Sequence, residues 1–186
     1  MLLRPKETRS SEVINLCFHG LGTPRRPLEP DEEQYWLDIA QFHEFLSVIR
    51  RYPSIRITFD DGNESDAAHA LPALLDHGLT ASFFVVAGRL DHPGSLSSAD
   101  VRDLARAGMT IGSHGMTHRP WRSLADPELG AELADATKVI SSAAGQTIRE
   151  VACPFGCYDR RVECCRIRIG IGDGHKRVAW VDHLHP

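Results

Sequence analysis

No stretch of this 186-residue sequence stays apolar for the roughly 18 consecutive positions that a membrane-spanning helix needs. The opening "MLLRPKETRSSEV" also lacks the apolar centre of a secretory leader, so no membrane span is expected and the cytoplasm is the expected compartment. A surplus of one charge sign is missing too. Lys and Arg total 21 against 25 Asp and Glu, a formal net charge of -4, which gives no electrostatic reason to expect a nucleic-acid partner. The basic residues Arg4, Lys6 and Arg9 read as a solvated N-terminal arm, residues 1–12. Cysteines are few and odd in number, at five, and Cys153, Cys157, Cys164 and Cys165 lack the paired spacing of a disulfide framework or a structural zinc site. Reduced thiols are expected. Internal repeats and low-complexity tracts are absent as well. With 42% hydrophobic and 25% charged residues, the composition fits one globular domain with one core.

What is present is alternation of two patterns. "VINLCF", "IRITF", "ASFFVV", "MTIGS" and "REVACPF" are short runs rich in branched and aromatic residues, each bounded by Gly, Pro or polar residues, and they predict buried strands. Residues 31–52, 64–78, 97–108 and 126–145 carry apolar residues at helical spacing. Ser98 and Asp126 are expected N-caps, and Gly78, Gly108 and Gly145 expected C-terminal stops. Continuous apolar strands between helices imply a parallel sheet covered by helices, an α/β barrel or part of one. In such folds functional groups collect at the carboxyl ends of strands. Those ends read Phe18 with His19, Asp60 with Asp61, His114 followed by His118, and Phe155 with Gly156. The segment "GLGTPRRPLEP" after His19 is a connector or a lid over that rim.

Asp60 and Asp61 form the sharpest chemical signal. Adjacent carboxylates at the end of a buried strand repel and lose solvation, so they call for a cation or a proton between them. "SHGMTH", Ser113 to His118, adds two imidazoles. Asp61, His114 and His118 together make a set that leaves a coordination position open, as a hydrolytic Zn²⁺ site requires. Asp60 then stays unligated and can accept a proton. Gly62 permits the sharp turn that lets both aspartates face one pocket. The structural alternative is that Asp60, Asp61 and Asn63 cap the helix beginning near Glu64.

"TFDDG" at Thr58 to Gly62, "SHGMTH" at Ser113 to His118 and "ACPFG" at Ala152 to Gly156, in this order, resemble the first three motifs of the polysaccharide deacetylase family, also called the NodB homology domain or carbohydrate esterase family 4. The resemblance runs from about Val13 to Asp159 and defines an expected domain over residues 13–160. It implies a distorted (β/α) barrel that removes N- or O-acetyl groups from an acetylated amino sugar or polysaccharide with a divalent metal, most commonly zinc. By the same resemblance Asp60 is the general base, Asp61, His114 and His118 are the metal ligands, and the Phe155 backbone N–H helps hold the oxyanion. Pro154 belongs to the same motif and is expected to line the substrate site. His19 after Phe18 is similar to a "YH" element of part of the family, and lines the substrate site or simply ends its strand. Trp121 offers a sugar-stacking face or packs over its loop.

Two departures qualify this reading. Ala152 stands where many members carry an arginine that orients the base, so Asp60 must be oriented by something else. After "YDRRV" the sequence does not continue into the family's usual strands, and the expectation is an atypical tail over residues 161–186, an incomplete barrel, and a frameshift past Val162. His185 in "LHP" is only superficially similar to the family's last motif, whose histidine protonates the leaving amine. The alternation of Gly170, Gly172 and Gly174 precedes no long helical pattern and is read as coincidence. Two alternatives to sugar deacetylation remain: an amidohydrolase of the same fold acting on a non-sugar C–N amide bond, and an inactive metal-binding remnant.

Overall fold

The computed structural model describes residues 14–162. The N-terminal arm, the tail beyond Val162 with Cys164 and Cys165, the glycine alternation and His185 lie outside the described residues. Strands β1 (Ile14–Phe18), β4 (Ile55–Phe59), β5 (Ser82–Val85) and β6 (Thr110–Ser113) form a parallel sheet in the order β1-β4-β5-β6. A second, two-stranded parallel pair joins β2 (Gly20–Leu21) to β3 (Trp36–Leu37). Helices α1 (Ile39–Ile49), α2 (Leu71–Asp76), α3 (Ser98–Arg106), α4 (Asp126–Gly130) and α5 (Ala136–Ala144) supply the covering layer.

Register places Phe18 beside Phe59 and Phe59 beside Phe83, so three aromatic rings line up across three strands. Phe59 stacks on Phe83 with centroids 4.8 Å apart and on Phe18 at 5.4 Å, while Phe42 of α1 meets Phe59 edge-on at 5.7 Å. These rings take up the helix-facing side of the sheet. Because side chains alternate along a strand, Thr58 and Asp60 belong to the opposite side. Asn15 confirms that division, donating from Nδ2 to Thr58 Oγ1 at 3.1 Å. The aromatic row therefore sets the direction of the carboxylate that follows it.

Local differences from the expected elements have simple causes. The helix anticipated over residues 31–52 breaks into a 3-10 turn (Glu32–Tyr35), strand β3 and helix α1. Asp38 caps α1 by accepting from the Ala40 and Gln41 N–H groups, and an N-cap residue is extended rather than helical. The strand expected over "REVACPF" shortens to one bridge, Ser113 to Val151, because Pro154 can donate no ladder bond. The cap of α3 is Ser97 rather than Ser98. Its hydroxyl accepts from the Asp100 N–H while Asp100 accepts from the Ser97 N–H, a reciprocal capping box. Asp126 lies inside α4, whose cap is Ala125, and the Glu128 carboxylate accepts the Ala125 N–H at 3.0 Å. Gly78, Gly108 and Gly145 all have positive φ at the ends of their helices, as expected.

Replacing Phe59 with Ala removes the centre of the aromatic row and should destabilise the protein by about 3–5 kcal/mol. Chemical denaturation measures this, with an unchanged denaturant slope expected.

Candidate active site

The chain at Asp60 leaves strand β4 with its N–H still donating to Phe18 O at 3.0 Å. The next two residues both have positive φ, 77° at Asp61 and 71° at Gly62. Two successive left-handed residues undo the alternation of the strand, so both carboxylates turn to one side. The turn thus uses Asp61 as well as Gly62. A Cβ on Gly62 would come within 3.0 Å of Val85 Cγ1, so both the conformation and the space favour glycine. Leu96 N–H donates to Gly62 O at 2.9 Å and holds the turn from the other side.

His114 follows strand β6, and its N–H donates to Val85 O at 2.8 Å. The loop that carries the second imidazole is anchored by Glu132, which is buried in a π-helical segment (Ala131–Asp135) between α4 and α5. One Glu132 oxygen accepts the Met116 N–H at 2.7 Å and the Thr117 N–H at 3.2 Å. The other accepts the Thr117 hydroxyl and the Arg119 Nε–H. Gly115 has φ 86°, and a Cβ there would lie 2.5 Å from Glu132 Oε2. The loop closes on this carboxylate only because residue 115 is glycine.

The result is a compact donor set. Asp61 Oδ1 lies 3.1 Å from His118 Nε2 and 3.7 Å from His114 Nε2, and the three ligand atoms lie within 4.8 Å of one another. Both imidazoles have the opposite nitrogen engaged: His114 Nδ1 is 3.1 Å from Ala152 O, and His118 Nδ1 is 2.9 Å from Glu29 Oε2. Ala152 O favours the Nδ1–H tautomer of His114; at His118 Nδ1 the Glu29 carboxylate at 2.9 Å favours the same tautomer and outweighs the longer contact from the Arg89 guanidinium at 3.4 Å, so both Nε2 atoms face Asp61 as acceptors. Asp61 Oδ1 itself is buried without a hydrogen-bond partner. A buried carboxylate oxygen facing two imidazole nitrogens is an arrangement that fits a divalent cation.

Asp60 stands beside this set. It is 6% exposed, and its Oδ2 is 3.9 Å from His114 Nε2. Burial pushes its pKa up to about 6, with His19 pulling it down and Asp61 pushing it up. Burial raises Asp61 too, but His114 and His118 more than offset this and its pKa is lowered. Burial lowers both His114 and His118, so their neutral, ligating forms are favoured. The two neighbouring aspartates are thereby pushed in opposite directions. Further along the same segment Asp66 is fully buried, and desolvation, with the charge of Asp61 adding to it, raises its pKa well above the usual range.

Of the other residues expected at the site, Phe155 is 58% exposed with φ 56°, and its ring lies 4.7 Å from that of His118. Pro154 is buried beside it at the start of the same 3-10 turn (Pro154–Gly156). The ring of His19 stacks on Tyr35 at 5.0 Å, and its charge acts on Asp60. Trp121 corrects the stacking expectation: at 1% exposure it packs with Leu124, Leu129, Leu133 and Val162 in a second small core, so no indole face is offered to a sugar. Ala152, lacking the arginine side chain, contributes its backbone oxygen to His114 instead.

Glu29, Arg89 and Glu132 take part in the site without any signal in the motifs. Glu29 lies 89 residues before His118, and it also pairs with Arg89. It arrives on the segment after His19, which is fastened rather than free. Arg26 pairs with Glu32 and donates from Nε to Asn63 Oδ1 at 2.9 Å, both at low exposure. That segment is a fixed wall of the rim.

A sequence model of the polysaccharide deacetylase family matches residues 49–170, and the chain belongs to that family. A chitooligosaccharide deacetylase of Bradyrhizobium sp. is 27% identical over 156 residues, covering 80% of this chain and 69% of that protein. The Bacillus subtilis relative YxkH is 28% identical over 105 residues, and the matched region is 56% of this chain but only 38% of that relative's length. A Streptococcus pyogenes deacetylase solved with acetate superposes with a TM-score of 0.73 at 16% identity, over 86% of this chain and 80% of that one. That likeness establishes the fold, the distorted (β/α) barrel that the motif resemblance implied. No helix among the described residues is long and apolar enough to cross a membrane.

Zinc added to the metal-free chain at about 100 times its Kd should raise stability by about 2.7 kcal/mol. His114→Ala and Asp61→Asn should each abolish that increment in a thermal melt. Glu132→Ala should destabilise by about 3–5 kcal/mol with or without metal, because it strands several buried donors at once.

Proposed function

We propose that this chain is a metal-dependent hydrolase that removes N-acetyl or O-acetyl groups from an acetylated amino sugar or polysaccharide. The observation that carries the proposal is the division between the two aspartates. Asp61 shares its orphaned oxygen with two imidazole nitrogens, whereas Asp60 is adjacent, buried and outside that donor set. Membership of the family and the likeness to a chitooligosaccharide deacetylase support an acetylated saccharide as substrate.

Asp61, His114 and His118 would hold the ion, and His₂-carboxylate donors that leave a position open suit Zn²⁺. When bound, a divalent cation supplies Lewis acidity that lowers the pKa of water towards ~7 and polarises the acetyl carbonyl. Asp60, buried beside the donor set and outside it, accepts the proton from the attacking water. The Phe155 N–H donates to the oxygen on which negative charge develops, an interaction that strengthens only in the transition state. His19 and Pro154 line the approach of the sugar. Glu29 and the Ala152 carbonyl act as positioning groups, keeping each imidazole in the tautomer that presents Nε2.

Acetate release from acetylated glucosamine oligomers is the direct test. Asp60→Asn should retain stoichiometric metal and lose turnover by about 10²–10⁴-fold. Full turnover in that variant would remove Asp60 from the base role. In the wild type Asp60 acts ionised, so kcat/KM should fall as pH drops through its pKa. That pKa is about 6 without metal and lower once a cation is bound beside it, so the acid limb should lie below pH 6.

A further inference from the structure

The parallel register of β1 and β4 creates a second donor set, which shares Asp60 and His19 with the proposed site and adds a thiol that the reaction does not use. Cys17 pairs with Thr58, and the alternation of β1 puts Cys17 and His19 on the same side as Asp60. Sγ of Cys17, one ring nitrogen of His19 and one carboxylate oxygen of Asp60 lie within 4.8 Å of one another. Cys17 keeps a solvent-open face, yet its protein surroundings and the Asp60 charge raise its thiol pKa well above the usual range, so it is a thiol until a cation displaces the proton; Asp60 forms the buried floor of the cluster. His19 is steadied by its stack on Tyr35. Among the described residues only two groups of this kind occur, and they share the Asp60–Asp61 dipeptide: one set takes Asp61, the other Asp60.

We propose that Cys17, His19 and Asp60 form a second cation site, selective for thiophilic divalent ions such as zinc or cadmium, and that its occupation inhibits the enzyme by engaging the carboxylate of Asp60. This rests on Asp60 serving as the base, as set out above. The donors differ in kind from those of the first set. Asp61, His114 and His118 offer no sulfur, whereas a thiolate, an imidazole and a carboxylate together favour zinc or cadmium over magnesium, calcium or manganese. Binding exchanges the Cys17 S–H bond for a sulfur–cation bond and releases that proton to solvent. The lone pairs with which Asp60 would accept a proton are then committed to the cation. Low metal fills the first site and supports turnover, and excess metal fills the second and suppresses it.

The test titrates the metal-free protein with Cd²⁺ while following the ultraviolet thiolate-to-cadmium charge-transfer band, in wild type and in Cys17→Ser. In parallel, acetate release is measured from one equivalent of Zn²⁺ upward. The wild type should show a Cys17-dependent part of the cadmium band and, with Zn²⁺, should lose turnover beyond the first equivalent. Cys17→Ser should keep wild-type turnover at one equivalent of Zn²⁺, lack that part of the cadmium band, and need at least about tenfold more Zn²⁺ for inhibition, the lower end of what even an outer partner of a metal site is worth. The difference between the two proteins separates Cys17 from the other thiols. Alkylation of Cys17, read by peptide mapping, should slow once the second equivalent is present. Superimposable titrations in the two proteins, or alkylation of Cys17 at a rate indifferent to metal, would overturn the site. A Cys17-dependent band in a protein without turnover at any metal level would uphold the site and instead remove the proposed deacetylation.

Discussion

Two carboxylates adjacent in the chain and both buried repel each other unless positive charge is brought against them, and most of the site's architecture serves that requirement. The aromatic row Phe18–Phe59–Phe83 fixes which way strand β4 faces. The paired left-handed residues Asp61 and Gly62 then bring the second carboxylate round to the side of the first. Opposite them stand His114 and His118, each with its outer nitrogen engaged and its inner one turned to Asp61. The two aspartates consequently have different environments, and their pKa values move apart. Groups pushed apart in this way can divide the work of ligation and proton acceptance.

Rigidity around the site comes from buried ion pairs on loops rather than from the sheet alone. Glu132 gathers two backbone N–H groups, a hydroxyl and a guanidinium from the loop bearing His118. Arg26 ties the segment after His19 to Glu32 and Asn63, and the same segment delivers Glu29 to His118. Carboxylates that accept several donors are held in place and remain ionised, and the pKa of Glu132 is indeed lowered, against the pull of burial. The imidazoles are held in orientation by these contacts alone, which would reduce the ordering that binding of the proposed cation requires.

Much of this was legible beforehand. The DDG turn and the HxxxH loop are local in sequence, and strand ends on a parallel sheet converge on one rim, so Asp60, Asp61, His114 and His118 could be grouped before any coordinates. The break of the 31–52 helix was missed because apolar spacing continued through Trp36 and Leu37, and it is the Asp38 cap that starts α1. Trp121 was left between stacking and packing, since a tryptophan near a site reads the same whether its face is open or packed, and the structure takes the packing reading. Glu29 was passed over because a carboxylate in a Pro-rich segment has no spacing relation to a histidine 89 residues away.

The order of strands and helices, the residues closing each strand, and the opposed demands of two neighbouring aspartates follow from the sequence by itself, because alternation, helical period and charge repulsion act over a few residues. Which distant groups meet was settled by packing and strand register. Register set Cys17 opposite Thr58 and so brought a thiol towards Asp60; loop anchoring set Glu29 on His118; and a second small core enclosed Trp121. Such pairings depend on how separate elements are stacked against one another, a property that no short stretch of chain carries.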